Sequence, residues 1–181
     1  MFVSHTVLLL PGWHNSAPDH WQSRWELAHG YRRVEQHNWD FPLRGDWITR
    51  LEEEVTRHES VVLVAHSLAC ILVAAWASLS ANTQRVHAAL LVAPSDVERE
   101  EMQHMLHSWS PIVRKRLPFD SVMAVSRNDP YCNFMSACKL ASDWGARVAD
   151  MGNCGHINAD SGLGDWSRGH ELLEEFLVSV E

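Results

Sequence analysis

The stretch "VVLVAHSLACILVAAWA", residues 61–77, places a His-Ser pair between an apolar run and a series of small helix-forming residues. A strand without polar alternation is typical of the centre of a parallel sheet, where helices cover both faces. The small residues that follow Leu68 predict a slim helix that packs close to that sheet. Ser67 therefore falls at the carboxyl end of a central strand, the edge at which open parallel sheets bind ligands.

The five residues around Ser67 are compatible with a reactive serine. They resemble the nucleophile elbow of α/β-hydrolases, a G-x-S-x-G motif on a tight turn between a strand and a helix. Ala65 and Ala69 replace the two glycines here, and both positions must be small because the turn brings two backbones together. A serine that simply caps a helix is the alternative explanation for this stretch taken alone.

A nucleophilic serine needs a base and an acid, which follow it in the order Ser, acid, His in this fold. Asp129 follows a predicted strand in "SRNDPY", and His156 lies in a glycine-rich loop, "GNCGHINADSG", after the next strand. Both loops are therefore expected at the same edge of the sheet as Ser67. Asp96 is the competing acid, but the Asp-Pro turn and the interval to His156 favour Asp129. An Asp-Pro turn and a loop histidine without catalytic roles are the alternatives.

The loop after the first predicted strand, within "LLLPGWHNSAPDHW", is expected beside Ser67. In α/β-hydrolases this loop donates one backbone amide to the oxyanion, and the residue after the nucleophile donates the other. By position these amides belong to Trp13 and Leu68. His14 and Asn15 are candidate substrate contacts. A tight Pro-Gly turn without a catalytic role is the alternative.

Apolar runs alternate with segments of helical length along the chain, which indicates α/β units around a parallel sheet. The predicted fold class is α/β: a compact α/β-hydrolase fold with a mostly parallel central sheet of about six strands, flanked by helices on both faces, in a single domain over residues 1–181. The predicted strands cover residues 6–10, 32–37, 60–65, 88–93, 121–125 and 147–151. The predicted helices cover residues 16–30, 44–58, 130–145 and 166–180, with Ser16 and Asp46 as candidate N-caps.

The composition argues against several partners. A formal net charge of -8 disfavours contact with nucleic-acid phosphates and anionic membranes, so neither is expected as a partner. The apolar residues 7–10 are too few for a signal peptide or a membrane span, and no basic leader precedes them, so a soluble cytoplasmic protein is expected. The four cysteines lack zinc-ribbon spacing, and His104 and His107 lack further ligands nearby. Free thiols and no metal site are therefore expected, and the reaction of a nucleophilic serine needs no organic cofactor.

Seven pieces of the sequence together resemble one small branch of the α/β-hydrolases. They are "LLLPGW", "HWQSRWE", "DWITRLEEEV", "VLVAHSLA", "LLVAPSD", "SRNDPY" and "GHINADSGLGDW", and they span nearly the whole chain. They are similar to the serine hydrolases of the retinoblastoma-binding protein 9 type and their bacterial relatives, formerly a domain of unknown function. The resemblance implies a short α/β-hydrolase fold without a large lid and a Ser-His-Asp site at Ser67, Asp129 and His156.

The chain departs from this family in two respects. Relatives commonly keep glycine at the position of Ala69. The family takes its name from partner binding by one mammalian member, but no Leu-x-Cys-x-Glu motif occurs in this sequence. The resemblance therefore implies no particular protein partner, and the expected partner is a small-molecule or peptide acyl substrate.

The expected activity is hydrolysis of a small acyl ester, thioester or amide through an acyl-enzyme on Ser67. Residues 95–118 occupy the place where hydrolases insert lids, and they predict either a short helical flap or a helix that covers the sheet edge. The alternative function is a catalytically weak hydrolase fold that binds a protein or a small ligand. Nine tryptophans would supply an aromatic patch for such binding, although their helical spacing favours core packing.

Overall fold

A six-stranded sheet forms the centre of the computed structural model, which describes residues 5–181. Residues 1–4, part of the predicted domain, lie outside the described residues. The strands are Thr6–Leu10 (β1), Arg32–Arg33 (β2), Val61–His66 (β3), Val86–Val92 (β4), Asp120–Val125 (β5) and Arg147–Asp150 (β6). The helices are Trp21–His29 (α1), Arg44–Thr56 (α2), Leu68–Ala77 (α3), Glu100–Gln103 (α4), Phe134–Trp144 (α5) and Ser167–Val180 (α6).

The sheet has the strand order β2-β1-β3-β4-β5-β6, and each neighbouring pair is parallel. β3 lies inside the sheet between β1 and β4, and all six of its residues are buried. This burial explains why its sequence lacks polar alternation. The predicted fold class, a parallel sheet of about six strands within an α/β fold, is confirmed.

Two apolar layers cover the two faces of the sheet. α2, α3 and α5 pack on one face, where Trp47, Leu51 and Trp144 are buried. α1 and α6 pack on the other face, where Trp21 and Trp25 are buried. Burial of such large aromatic side chains on both faces supplies much of the hydrophobic stabilisation of the fold.

α3 is the most deeply buried helix described. Its residues from Leu68 to Trp76 are all buried, so it has no polar face. Small residues such as Ala69 and Ala74 let its backbone approach the sheet closely, because they add little side-chain bulk between the two. The helix begins at Leu68, directly after Ser67, the residue that connects it to β3.

The edge strand β2 is shorter than predicted. The sequence pattern favours residues 32–37, but only Arg32–Arg33 pair with β1. The amide of Val34 still donates to a β1 carbonyl at 2.9 Å, and the chain then leaves the sheet. Farther on, the Trp39 carbonyl accepts a hydrogen bond from the His14 amide at 3.1 Å. The segment therefore crosses to the loop after β1 instead of extending the edge strand.

Two predicted helix caps are wrong. The N-cap of α1 is His20, whose Nδ1 accepts from the Gln22 amide at 3.1 Å. The Ser16 hydroxyl instead donates to the Gln22 side chain at 2.7 Å. α2 begins at Arg44, so Asp46 lies within the first turn, where its charge interacts favourably with the helix dipole. A side-chain contact of His20 therefore caps α1, whereas no side chain caps α2.

All nine tryptophans lie within the described residues, and none of them is exposed. Trp13 and Trp39 are partly buried, and the other seven are buried. Core packing therefore accounts for the tryptophan content. In addition, none of the helices within residues 5–181 combines the length and the apolar character needed to cross a membrane.

Candidate active site

Ser67 adopts a backbone conformation that serine rarely takes. Its φ is +59° and its ψ is −121°, a region that is costly for a residue with a Cβ unless the surroundings hold it there. Two hydrogen bonds do so: the Ser67 amide donates to the Val92 carbonyl at 2.9 Å, and its carbonyl accepts from the Cys70 amide at 3.0 Å. Ala65 and Ala69 are fully buried beside the turn. The tight turn therefore forms with alanine at both positions where the motif has glycine.

The loop after β1 lies directly against this turn. A Cβ atom added to Gly12 would lie 2.8 Å from Ser67 Cβ and 3.0 Å from the His66 carbonyl oxygen. Atoms of that kind do not approach so closely, so only glycine allows the loop backbone to sit here. The same added atom would lie 3.4 Å from the Leu68 amide nitrogen. The backbone around Gly12 and Trp13 therefore borders the space in front of the Ser67 hydroxyl.

The side chains of Ser67, His156 and Asp129 form a continuous line of hydrogen bonds. His156 Nε2 lies 2.8 Å from Ser67 Oγ, and His156 Nδ1 lies 2.9 Å from Asp129 Oδ2. A carboxylate only accepts, so Nδ1 carries the ring proton and Nε2 accepts the Ser67 hydroxyl. The side chains of His156 and Asp129 are 8% and 3% exposed. Desolvation of this kind strengthens the hydrogen bond between the two side chains.

The loop that carries His156 is fixed to the end of β5 and to β3. The Asn128 side-chain oxygen accepts from the Gly155 amide at 2.8 Å, and Ser126 Oγ accepts from the Cys154 amide at 3.0 Å. On the other side, His66 Nε2 donates to the His156 carbonyl at 2.9 Å. The His156 ring is therefore positioned by contacts from two different strand ends.

Two further histidines beside the site are held neutral. Burial lowers the pKa of His66 well below its usual value, and nearby His20 and His156 act in the same direction. Burial also lowers the pKa of His20 to about 4. A neutral His66 matches its role as a donor to a carbonyl, because the ring needs only one N–H for that bond. The surroundings of His156 therefore gain no positive charge from these rings at neutral pH.

The residues predicted to donate to an oxyanion and to contact substrate line one cavity. Trp13, His14, Asn15 and Leu68 all border it. Within the described chain, neither the Trp13 amide nor the Leu68 amide donates to a protein acceptor, which leaves both available. His14 pairs with Asp40 at 3.0 Å and is exposed.

Asn15 is held at the cavity by an arginine. Its side-chain oxygen accepts a hydrogen bond from Arg33 at 2.7 Å and a second from the Ser16 amide at 2.8 Å. That oxygen is therefore already engaged, and the amide nitrogen is the group that remains to contact a ligand.

The cavity in front of Ser67 measures about 420 Å³ and has two chemically different walls. Met102 and Leu106 form an apolar wall and also belong to the layer of α2, α3 and α5. His20, at the start of α1, and Asp160, in the loop after His156, belong to a polar wall. The segment 95–118 therefore combines both predicted possibilities, since it packs on the core and also covers the site.

Sequence reasoning missed two residues that the structure places at this site. Ser95 Oγ lies 2.7 Å from Ser67 Oγ. The Tyr131 ring packs edge-on against the His156 ring with 4.5 Å between ring centroids. Both residues occur in loops that follow predicted strands, beside Asp96 and Asp129. Their position at the carboxyl ends of neighbouring strands was the available signal.

The residues considered as alternatives lie apart from the line of hydrogen bonds. Asp96 Oδ1 accepts from the amide two residues further on, at 3.2 Å. His104 and His107 are exposed, and the described residues include no cluster of three or more metal-ligating side chains. Burial raises the pKa of the Cys154 thiol, which donates to the Met151 carbonyl at 3.0 Å.

The parallel sheet, the strained serine between β3 and α3, and a histidine after the last strand define an α/β-hydrolase. A family model described as serine hydrolase matches residues 7–175. The chain therefore belongs to the serine hydrolase family.

Solved structures share this architecture along nearly the whole chain. A protein described as a YdeN-like hydrolase from Pectobacterium atrosepticum is 27% identical, with a TM-score of 0.85 over 98% of this chain and 92% of that one. The ydeN gene product of B. subtilis is 19% identical, with a TM-score of 0.78 over 97% and 100% of the two chains. Esterase 2 of Thermogutta terrifontis is 15% identical, with a TM-score of 0.69 over 97% and 84%. A comparison with curated proteins gives no match.

Proposed function

We propose that this protein is a serine hydrolase of the retinoblastoma-binding protein 9 type, with one catalytic domain over residues 1–181. Its reaction is the cleavage of a small acyl ester, thioester or amide through a triad of Ser67, His156 and Asp129. The observation that carries the proposal is the unbroken line of hydrogen bonds from Asp129 through His156 to Ser67 Oγ. Membership of the serine hydrolase family supports the same conclusion.

In the first half of the reaction, His156 Nε2 takes the Ser67 proton as Oγ attacks the acyl carbon. Asp129 keeps the Nδ1 proton in place and stabilises the imidazolium that forms. The oxyanion accepts hydrogen bonds from the amides of Trp13 and Leu68. His156 then donates the proton to the leaving group, and the acyl group remains on Ser67 Oγ as an ester.

In the second half, water attacks the acyl carbon while His156 takes one of its protons. The second tetrahedral intermediate expels Ser67 Oγ, which recovers its proton from His156. The carboxylic acid leaves, and the enzyme returns to its starting state. The proposed reaction uses these side chains and two backbone amides, and it requires no metal or organic cofactor.

The cavity limits the size of the substrate. A volume of about 420 Å³ lies at the small end of the range for ligand pockets, which favours short acyl groups or short peptides over long lipid chains. His14 and Asn15 border the cavity and are the proposed polar contacts for substrate. The neighbouring esterase structure supports an ester as the first substrate class to test.

The test is covalent labelling with a fluorophosphonate probe, followed by intact-mass measurement and peptide mapping. We expect one adduct on Ser67, with loss of fluoride, and no adduct in the Ser67→Ala and His156→Ala variants. Turnover of a small acyl ester should fall by about 10⁶-fold in either variant, because triad members act as a unit. Circular dichroism of each variant serves as the control for folding.

Absence of labelling at Ser67 would favour the alternative function, a catalytically weak hydrolase fold that binds a protein or a small ligand. A folded wild-type protein that forms no adduct, or an adduct that persists after Ser67→Ala, would refute a Ser67 nucleophile. Hydrolysis that survives Ser67→Ala at its full rate would refute the proposed mechanism as well.

A further inference from the structure

Ser95 brings a second hydroxyl into contact with Ser67. The two Oγ atoms are 2.7 Å apart, and Ser95 is 4% exposed. Ser95 follows β4, the strand that pairs with β3, so the two serines come from neighbouring strand ends. Among the described residues the Ser95 hydroxyl makes no other side-chain hydrogen bond. Its one polar contact of this kind is therefore with the atom that we propose as the nucleophile.

The direction of this hydrogen bond follows from counting protons. A hydroxyl carries one proton, and the Ser67 proton is donated to His156 Nε2, which has no proton of its own while Nδ1 donates to Asp129. Ser67 Oγ therefore has only lone pairs left for Ser95. The Ser95 hydroxyl must be the donor and Ser67 Oγ the acceptor. One lone pair of Ser67 remains for attack on a substrate.

We propose that Ser95 is a further catalytic residue, a hydrogen-bond donor that stabilises the negative charge on Ser67 Oγ in both halves of the reaction. This inference rests on the proposed function, because it needs Ser67 to be the nucleophile. It adds a group that acts on the nucleophile itself, whereas the Trp13 and Leu68 amides act on the oxygen of the substrate.

The contribution of Ser95 changes along the reaction. Oγ gains negative charge as its proton passes to His156, and again when the deacylation intermediate expels it. A hydrogen bond to a charged oxygen is roughly twice as strong as one to a neutral oxygen. In the acyl-enzyme Oγ is an ester oxygen and a weaker acceptor. The contact is therefore stronger in the two transition states than in the states between them, which is the condition for a rate effect.

No proton is transferred from Ser95 in this scheme. The Ser67 proton moves to His156, then to the leaving group, and a proton of water returns through His156 to Ser67. Ser95 keeps its own proton throughout. Its role therefore depends on the strength of its O–H donor and on its reach, and these two properties can be varied separately.

The experiment compares Ser95→Ala, Ser95→Thr and Ser95→Cys in the full chain. Two quantities are measured: the rate constant of fluorophosphonate labelling at Ser67, and kcat and KM for p-nitrophenyl acetate. We expect Ser95→Ala to lower the labelling rate and kcat by about 10- to 100-fold, with KM changed less than about twofold. Threonine keeps the hydroxyl and should stay near wild type, whereas cysteine, a weak donor, should fall between threonine and alanine.

A purely structural role predicts a different order. Alanine fits within the space of serine, whereas threonine and cysteine are larger, so packing alone would leave Ser95→Ala near wild type and make the two larger variants slower than alanine. That order would overturn the proposal. If the alanine variant fails to fold by circular dichroism, threonine gives the decision: a donor role keeps this variant near wild type, whereas a purely structural role makes it slow because of its added methyl group.

Ser121→Ala is the matched control. Ser121 is also a buried serine, 3% exposed, but it lies at the start of β5 and its hydroxyl has no partner within the described residues. Its loss should leave both rates unchanged. If wild type labels at Ser67 and Ser95→Ala labels equally fast, only the role of Ser95 is refuted. If wild type does not label at Ser67, the proposed function fails and the role of Ser95 fails with it.

Discussion

Asp96 and Asp129 follow two neighbouring strands, β4 and β5, but only the Asp129 carboxylate reaches His156. Asp129→Asn should therefore lower kcat by about 10⁴-fold, because an amide in this position no longer holds the His156 tautomer that accepts the Ser67 proton. The measurement is steady-state hydrolysis of a small acyl ester.

Asp96→Asn is the matched control for this change. An asparagine oxygen can still accept the amide hydrogen bond that Asp96 accepts now, so activity should stay within about twofold of wild type. Comparable losses in the two variants would contradict the assignment of Asp129 as the acid.

Gly12 tests how closely the loop after β1 must approach Ser67. A methyl group at this position would lie 2.8 Å from Ser67 Cβ, so the loop or the elbow must shift. We expect Gly12→Ala to lower kcat/KM by about 100-fold, the scale of a misplacement near 1 Å. In contrast, Gly45→Ala in the first turn of α2 meets nothing within 4 Å and should leave kcat/KM unchanged. Equal activity of the two variants would mean that the loop does not position the site.

The sequence was sufficient to predict the three residues of the hydrogen-bonded line. Each is a chemically distinctive residue placed just after a strand, and their order in the chain matches one fold. Ser95 could not be singled out in the same way, because serine is common in loops and only the spacing of β3 and β4 brings its hydroxyl to Ser67. The hydrogen bond of His66 to the His156 carbonyl could not be predicted either, because the two residues are 90 positions apart in the chain.

At the scale of single elements, α1 begins at a histidine that is buried in its neutral form. The pKa of His20 is lowered to about 4, against 6.5 for an unperturbed histidine. Below pH 6.5 the unfolded chain therefore takes up a proton that the folded chain does not, and the folded state loses stability as the pH falls towards 4. Between pH 7 and pH 5 this histidine alone should cost about 2 kcal/mol of the free energy of unfolding.

The His20→Asn variant isolates this effect. An asparagine oxygen can accept the Gln22 amide as the N-cap of α1, so the helix start is kept while the titrating ring is removed. Urea unfolding at pH 7 and pH 5 should show a smaller loss of stability in the variant than in wild type. An identical loss in both proteins would contradict a buried neutral His20. Because His66 titrates in the same direction, some pH dependence should remain.

Element boundaries were predicted less well than the elements themselves. α5 was expected from Pro130 but begins at Phe134, because the Asn133 side chain accepts from the Ser136 amide at 2.9 Å and caps the helix there. Residues 35–37 have the pattern of a strand but leave the sheet towards the loop after β1. In each case a polar contact formed on folding overrides the local pattern of residue types.

At the scale of the whole molecule, β3 lies at the centre of the buried core. Leu63 lies in the middle of β3 and is 0% exposed, with helices packed against both faces of the sheet. Leu63→Ala should lower the free energy of unfolding by about 2 to 5 kcal/mol, through lost burial and the cavity that remains. Leu27→Ala on α1 removes the same atoms from a side chain that is 86% exposed. This change should alter the free energy of unfolding by less than about 0.5 kcal/mol. Chemical denaturation measures both, and similar losses would contradict the central placement of β3.

The fold class was predictable because apolar runs and helical segments alternate in a regular order, and few architectures accommodate that order. The packing of the segment 95–118 was not predictable, since its apolar residues fit a flap over the site and a layer of the core equally well. In the structure, Met102 and Leu106 line the cavity and also pack in the core.

The line from Asp129 to Ser67 joins the ends of three strands, and Ser67 and His156 are 89 residues apart in the chain. Contacts of such long sequence separation form only after the intervening strands have paired, so a partly folded chain lacks the hydrogen bonds that we propose activate Ser67. The fraction of chains that a covalent probe labels at Ser67 would therefore report the fraction that is natively folded. During refolding, the rate at which the labelled fraction grows would report how fast β6, the last strand of the sheet in chain order, joins the sheet, because His156 follows this strand.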